Sequence, residues 1–419
     1  MPAVLCIDVE PDVRSVPMPD PEPRLRGFEA LLAQIDAVRT RLASSSGRPC
    51  ALTWFLRMDL QVAVAYGSAR FIVDRYRADL AHLAAAGDEL GVHTHSYRWQ
   101  DGVGWVQDQA DVEHVAHCAR SSLDAYRDVF GQPCRAYRHG DRFMSSQLAS
   151  VLVDNGVRVD LTLEPGLPAV PGLVSTEQNR GLIPHVPRDR VAPHVADPDD
   201  VFEPGDSKLL VIPLTTSVRF TEDTVPGQVP FSTLLLWSPP REFAAMLDAR
   251  LADPELTHLA FAIRSDLPLH RHAWSWFQAN IDHLCARPLA AELAWVTATR
   301  ARELLLPRVT AATGAPRWPD DAAAAAALSA LAASLSEGLR DVERELAAER
   351  ARHADVKALR TERDAAKARG ADLERELARM ENGRRMLETC LEEVRATTWW
   401  RLHDRLLPVL RPLSRLRRR

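Results

Sequence analysis

Along the first three hundred or so residues, short apolar runs alternate with amphipathic stretches. The apolar runs read as strands: AVLCID from Ala3, CALTWF from Cys50, ELGVHTH from Glu89, CRAYR from Cys134, RVDLTL from Arg158, KLLVIPLTTS from Lys208, HLAFAIRSD from His258 and AWVTA from Ala294. Between most of them apolar residues recur every three or four positions, the spacing of a helix with one buried face. Such stretches are GFEALLAQIDAVRTRL, RFIVDRYRADLAHLAAAG, DVEHVAHCARSSLDAYRDVFG, REFAAMLDARLAD and HAWSWFQANIDHLCA. Strand and helix in alternation predict an α/β fold with a parallel sheet, and this many repeats favour closure into a barrel. The Pro- and Asp-rich stretch from Pro165 to Asp206 reads as a loop excursion over one barrel end.

Past Pro307 the pattern changes. Residues 308–330 form a low-complexity, Ala-rich linker, and 331–397 carry apolar residues in steps of three and four, from Leu335, Leu339, Val342 and Leu346 to Leu387, Leu391 and Val394. The steps predict a coiled coil with a three-residue slip between Val356 and Leu359, with a lone surface helix as the alternative. His353, Arg363, Gly370 and Arg384 interrupt the seam and weaken its middle. A coiled coil implies a homodimer or a helical partner. The tail, 398–419, joins Trp399 and Trp400 to a run of arginines ending in Arg417, Arg418 and Arg419, a composition suited to peripheral contact with an anionic membrane face, with docking on a partner protein and, last, nucleic acid as the alternatives.

Composition narrows the function. With 46% hydrophobic and 26% charged residues, the 419-residue chain is typical of a soluble globular protein. A formal net charge of −5 lacks the basic excess of a nucleic-acid binder, so nucleic acid is not an expected partner. The six cysteines show no C-x-x-C spacing and are expected to be reduced thiols. The amino terminus enters a strand-like run at once, and no apolar run reaches the roughly 20 residues of a membrane helix. These features lead to the expectation of a cytoplasmic protein.

Candidate chemistry gathers at strand ends, where the loops of a parallel barrel converge. Strand alternation puts Asp8 and Glu10 on one face, and His93 and His95 likewise. Two imidazoles plus one carboxylate, with positions open for water and substrate, are the usual donors of a catalytic zinc or similar divalent ion. The remaining carboxylate is then placed to deprotonate a bound water.

Asp8 and Glu10 near the first strand end, GDELGVHTH at the third and CRAYRHGDRF at the fourth resemble the polysaccharide deacetylase family, the NodB-homology or carbohydrate esterase family 4 group. The resemblance spans roughly residues 3–300, and within a 1–307 domain it implies a distorted (β/α)7 barrel followed by the coiled-coil segment. It further implies a divalent metal, zinc first with cobalt or nickel as alternatives, that activates water against an N-acyl group on a sugar. By this match Asp8 is the general base and Glu10 a ligand, or the two exchanged; His93 and His95 are ligands; and Arg138, with Arg135 in reserve, orients the base. Asp160 matches the fourth motif. Two departures stand out: Tyr97 occupies the commoner second-histidine position, and Arg264, Ser265 and Asp266 stand where the family places a histidine proton donor. Arginine is no donor near neutral pH, because its pKa stays above about 12. His270 and His272 are the nearest replacements in sequence. Trp54 is expected to pack, while Trp99 and Trp105 are open to packing or to stacking on a sugar.

The expected function is therefore metal-dependent removal of an N-acyl group from a soluble or lipid-linked saccharide in bacterial surface-polysaccharide metabolism. The rival is a catalytically degenerate barrel that binds a glycan and works through its coiled coil. Hydrolysis of another non-peptide C–N bond, such as a formamide, is a third reading.

Overall fold

The computed structural model describes residues 1–18, 25–173, 178–218, 231–253 and 256–312, with Met380, Glu381, Arg384 and Arg385. The coiled coil, apart from those four residues, and the basic tail lie outside the described residues. The chain divides into two compact units, Met1–Ala315 and Pro316–Arg419. No helix among the described residues is long and apolar enough to cross a membrane.

Nine strands form the main sheet of the first unit: β1 (Pro2–Val9), β2 (Thr53–Arg57), β3 (Glu89–Thr94), β4 (Ala136–His139), β5 (Val159–Asp160), β6 (His194–Val195), β7 (Leu210–Val211), β8 (Leu259–Arg264) and β9 (Ala294–Trp295). Their order is β8-β1-β2-β3-β4-β5-β7-β6, with β9 against the start of β1. Among the described residues of this sheet, only the β6–β7 pair is antiparallel. The sheet curls with helices outside, giving the distorted barrel expected from the alternation of runs.

Every second residue of a strand faces the same side, and β1 shows what that does here. Leu5, Ile7 and Val9 pack outward against helices, while Val4 and Cys6 point into the barrel beside Phe55, Ala136 and Leu161. Both faces are buried, so the strands read as nearly continuous apolar runs. The same period carries Asp8 to the interior, at the strand's carboxyl end.

The barrel has a seam between β7 and β8. Pro213 has no N–H and interrupts the ladder after β7, and its carbonyl accepts from His258 Nε2 at 2.8 Å. Thr215 bridges the gap, donating its N–H to the Ala260 carbonyl at 2.9 Å and accepting the Ala260 N–H on Oγ1 at 2.9 Å. The Pro165–Asp206 excursion contains the bridge Val170–Ile183, the short strand Gln178–Arg180 and β6. Strand Gln178–Arg180 joins a hairpin, Tyr97–Gln100 with Gly104–Asp108, that the hydrophobic pattern did not announce. The helix Ala298–Ala312 continues through Pro307 into the first residues of the expected linker.

At the opposite end of the barrel Asp88 ties three elements together. Its carboxylate accepts from Arg39 at 2.6 and 2.8 Å, from Leu52 N–H at 2.8 Å and from Trp54 Nε1 at 2.8 Å. Trp54 is a packing residue, fully buried. Asp88→Ala removes the carboxylate and leaves these donors unmet, at an expected cost of about 3–5 kcal/mol. Urea denaturation of parent and variant measures it, and a change below about 1 kcal/mol would contradict this account.

Candidate metal and active site

The carboxyl ends of the strands deliver a buried set of charged groups. His93 registers with Arg57 on one neighbouring strand and Arg138 on the other, and Asp8 with Arg264. Parallel register turns such neighbours to the same side, so residues far apart in sequence meet inside the barrel mouth. They line a cavity of about 310 Å³ that includes Asp8, Glu10, His93, His95, Arg138 and Arg264.

Glu10, His93 and His95 converge. The two Nε2 atoms are 3.2 Å apart; Glu10 Oε1 is 3.7 Å from His93 Nε2, and its Oε2 is 3.5 Å from His95 Nε2. A tetrahedral zinc ion bound at 2.0–2.2 Å separates neighbouring donor atoms by about 3.3–3.6 Å, so the triangle fits one face of such a shell. The tautomer fits as well: His93 Nδ1 lies 2.9 Å from the Arg138 carbonyl, which can only accept, so the proton sits on Nδ1 and the lone pair on Nε2. His95 Nδ1 faces Asp141 Oδ2 at 3.7 Å and has no hydrogen-bond partner among the described residues. With its proton directed at that carboxylate, both Nε2 lone pairs and the Glu10 carboxylate point at one spot, an arrangement that a cation completes. Among the described residues this is the one cluster of three or more His, Cys, Asp or Glu side chains with metal-binding geometry.

Asp8 lies beside the triangle, its Oδ1 3.8 Å from His93 Nδ1. Arg138 Nε reaches its two oxygens at 3.1 and 3.0 Å and anchors Nη1 on the Leu161 carbonyl at 2.9 Å. The structure thus pairs Arg138 with Asp8 and not with Glu10. The reserve residue Arg135 is exposed at the other end of the barrel, donating to the Gly156 carbonyl. Asp160 is fully buried and accepts from Thr162 N–H and Oγ1 at 2.9 and 2.7 Å. Burial pushes its carboxyl up to about 7, against the opposing effects of the Thr162 bonds and Arg138.

Two residues of the site, Arg57 and Asp59, escaped the sequence reading, and the partners of Arg264 and Asp266 did too. Arg57 Nη1 reaches Glu10 Oε2 at 3.1 Å and Arg264 Nη1 reaches Oε1 at 3.2 Å, one guanidinium on each oxygen. Burial alone would raise the Glu10 carboxyl, but Arg264 and the two imidazoles hold it well below the usual carboxylate range. Asp59 neutralises Arg57 at 2.7 Å, caps the helix Leu60–Tyr66 through the Val62 N–H and accepts the backbone N–H of His95 at 2.9 Å. Asp266 pairs with Arg264 Nε at 3.0 Å. The run WFLRMD ends its strand in an Arg-x-Asp pair, so the strand-end argument applied to Asp8 would have found Arg57 and Asp59 too.

Of the remaining expectations, Tyr97 is buried and stacks on the His95 ring at 5.4 Å. Neither His270 nor His272 lines the cavity, and His270 is mostly exposed, 3.5 Å from Asp266. Trp105 is buried and donates to the Val16 carbonyl at 2.7 Å, while Trp99 is 38% exposed on the hairpin. Burial works against the charge on Arg264, but Glu10 and Asp266 outweigh it and raise its pKa above the ordinary arginine value.

Gly140 makes room for His95: a Cβ on it would stand 2.2 Å from the imidazole. The next two residues, Asp141 and Arg142, both hold φ of 52°, a left-handed conformation that side chains other than glycine seldom adopt.

The chain is similar to a Mycobacterium smegmatis protein named a polysaccharide deacetylase (15% identity, TM-score 0.41, covering 76% of this chain and 93% of that one). It is similar also to a glycoside hydrolase/deacetylase from Parabacteroides distasonis (13% identity, TM-score 0.44, 73% and 71%) and to a family 4 acetyl xylan esterase from Clostridium thermocellum solved with a cobalt ion (10% identity, TM-score 0.34, 73% and 91%). No family model and no curated protein sequence matches the chain.

Two outcomes follow from the geometry. Gly140→Ala displaces the His95 ring and is expected to weaken zinc binding by about 10–100-fold, read by competition with a chelating dye; unchanged affinity would mean that His95 is not a ligand. Asp160 has a folded pKa of about 7, above its unfolded value, so it favours folding at low pH. That contribution falls by about 1.4 kcal/mol per unit as pH rises from about 4 to 7. Asp160→Asn lacks this slope, so its stability relative to the parent should climb across that range in denaturation series at successive pH values.

Proposed function

We propose that this chain is a metal-dependent hydrolase that removes an N-acyl group, acetyl foremost, from a sugar or lipid-linked saccharide. One observation carries the proposal: His93 Nε2, His95 Nε2 and the Glu10 carboxylate form a triangle with edges of 3.2–3.7 Å, beside a second carboxylate, Asp8, that Arg138 holds in place. Glu10, His93 and His95 would hold the ion, zinc by preference, with cobalt or nickel as alternatives. A divalent ion held there would supply Lewis acidity, toward an acyl oxygen and toward water.

The chain's own residues account for the proton. Asp8 accepts it from the attacking water, and the two contacts from Arg138 Nε keep the carboxylate oriented for that transfer. Arg264 stays protonated throughout and donates no proton. The C–N bond therefore breaks with Asp8 returning the same proton to the leaving nitrogen, so that one carboxylate serves as base and then acid. Arg264 keeps one N–H on Glu10 and its Nε on Asp266, and its side chain, 24% exposed, faces the cavity with donors to spare for an acyl oxygen.

A second reading, a degenerate barrel that binds a saccharide without cleaving it, is favoured by one feature: guanidinium groups engage both oxygens of the would-be ligand Glu10. The proposed setting, a cytoplasmic dimer or coiled-coil complex touching the inner membrane face, is supported by sequence patterning alone, the helical period and basic tail of residues 331–419 foremost.

Elemental analysis of the full chain after zinc loading is expected to give about one ion per chain in the parent, and far less in His93→Ala and Glu10→Ala. Asp8→Asn should retain the ion while acetate release from N-acetylated oligosaccharides falls at least about 100-fold. Saccharide binding without acetate release in the parent would establish the second reading, and absence of zinc in the parent would remove the first.

A further inference from the structure

Cations and carboxylates line the catalytic cavity in pairs, with one pair missing. Arg14 meets Asp141 at 2.6 Å, Arg138 meets Asp8 at 3.0 Å and Arg264 meets Glu10 at 3.2 Å. Arg142 lines the same cavity and has no carboxylate within 4.0 Å among the described residues. It is 2% exposed, its Nε is buried without a hydrogen-bond partner among the described residues, and its other contacts are to the backbone carbonyls of Pro184 (3.4 Å) and Pro168 (2.6 Å). The backbone beneath it is left-handed, with φ of 52°. A buried guanidinium satisfied only by carbonyl dipoles is an unfinished ion pair, and a strained backbone holds it in that position.

We propose that Arg142 completes its pair with the substrate: the cavity takes an acylated sugar that carries an anionic oxygen group, a carboxylate or a phosphate, with that group on Arg142. The proposal rests on the hydrolase reading and names its substrate class. Charge balance supports it. Counting the wall with the partners of its charged groups, Arg14, Arg57, Arg138, Arg142 and Arg264 stand against Asp8, Glu10, Asp59, Asp141, Glu164 and Asp266, so a divalent ion leaves the site positive by one charge, which an anionic sugar offsets. Glu164 and Asp141, the carboxylates on the same wall that act on Arg142 from a distance, are engaged elsewhere, by Thr233 Oγ1 at 2.6 Å and by Arg14 at 2.6 Å. The two proline carbonyls that hold the guanidinium belong to the excursion over the barrel mouth, so the proposed subsite lies where that excursion meets the strand ends.

Calorimetric titration of the zinc-loaded full chain tests this with N-acetylglucosamine, its 1-phosphate and its 6-carboxylate analogue. At least one charged sugar should bind about tenfold or more tightly than the neutral one, the 1-phosphate indicating a glycosyl phosphate and the carboxylate an acidic sugar. In Arg142→Gln, which keeps an N–H donor for the proline carbonyls, that preference should vanish while neutral-sugar affinity holds. Equal affinity of the parent for all three overturns the proposal and needs no variant, so a misfolded Arg142→Gln does not shield it. Inorganic phosphate separates the subsite from the function. Phosphate binding that weakens about tenfold or more in Arg142→Gln keeps the anion site even if no sugar binds and the hydrolase reading fails. Phosphate binding equal in parent and variant, together with no preference for a charged sugar, rejects the anion site and leaves the hydrolase reading standing.

Discussion

Glu10 is a carboxylate 3% exposed, and its burial organises everything around it. An ionised carboxylate costs several kcal/mol to remove from water unless both oxygens find cations or donors, and here Arg57 and Arg264 supply one guanidinium each. Those arginines are themselves removed from water and need partners, which Asp59 and Asp266 provide. Asp59 then uses its remaining capacity to cap a helix and to fix the backbone of His95. The need to satisfy one buried charge thus spreads through alternating signs until it sets the position of an imidazole.

Beside that network the Asp8–Arg138 pair repeats the principle with a different outcome. Arg138 spends its Nε on Asp8, one Nη on the Leu161 carbonyl, and its own carbonyl on His93 Nδ1. One residue therefore orients the proposed base and fixes the tautomer of a proposed ligand. The two roles are coupled through a single backbone position, which leaves little room for substitution there.

Close approach of the backbone also shapes the mouth. Gly140 lets the His95 ring lie against the backbone, and the left-handed pair Asp141 and Arg142 follows at once. That turn sends Asp141 back toward His95 and Arg14, and Arg142 toward the carbonyls of the Pro165–Asp206 excursion. A few residues of tight backbone so connect the metal-binding geometry to the loop over the barrel mouth. The Thr215 bridge across the barrel seam, on the far side of the cavity, holds the remaining wall in place where Pro213 has broken the ladder.

Much of the fold was legible in the pattern of apolar residues. The eight strand runs and five helical runs all hold strands or helices close to where they were read, because burial on both faces of a parallel sheet leaves continuous apolar runs that few other structures require. The inward placement of Asp8 with Cys6 follows from the two-residue period of a strand, and so does the shared face of His93 and His95. Other features were illegible. The hairpin at Tyr97–Asp108, the helix Ser146–Asp154 and the edge strand His194–Val195 are short, and their identity comes from the elements they pair with or pack on. The partners of Glu10 lie 47 and 254 residues away in the chain, brought close by sheet register alone, and Arg142 acquires its character from a turn geometry that no residue pattern specifies. Local period and polarity determined which residues face inward. Which inward residues touch, which charges are matched and which one meets no carboxylate among the described residues were decided by tertiary structure, since those depend on distances between strands that sequence separation does not encode.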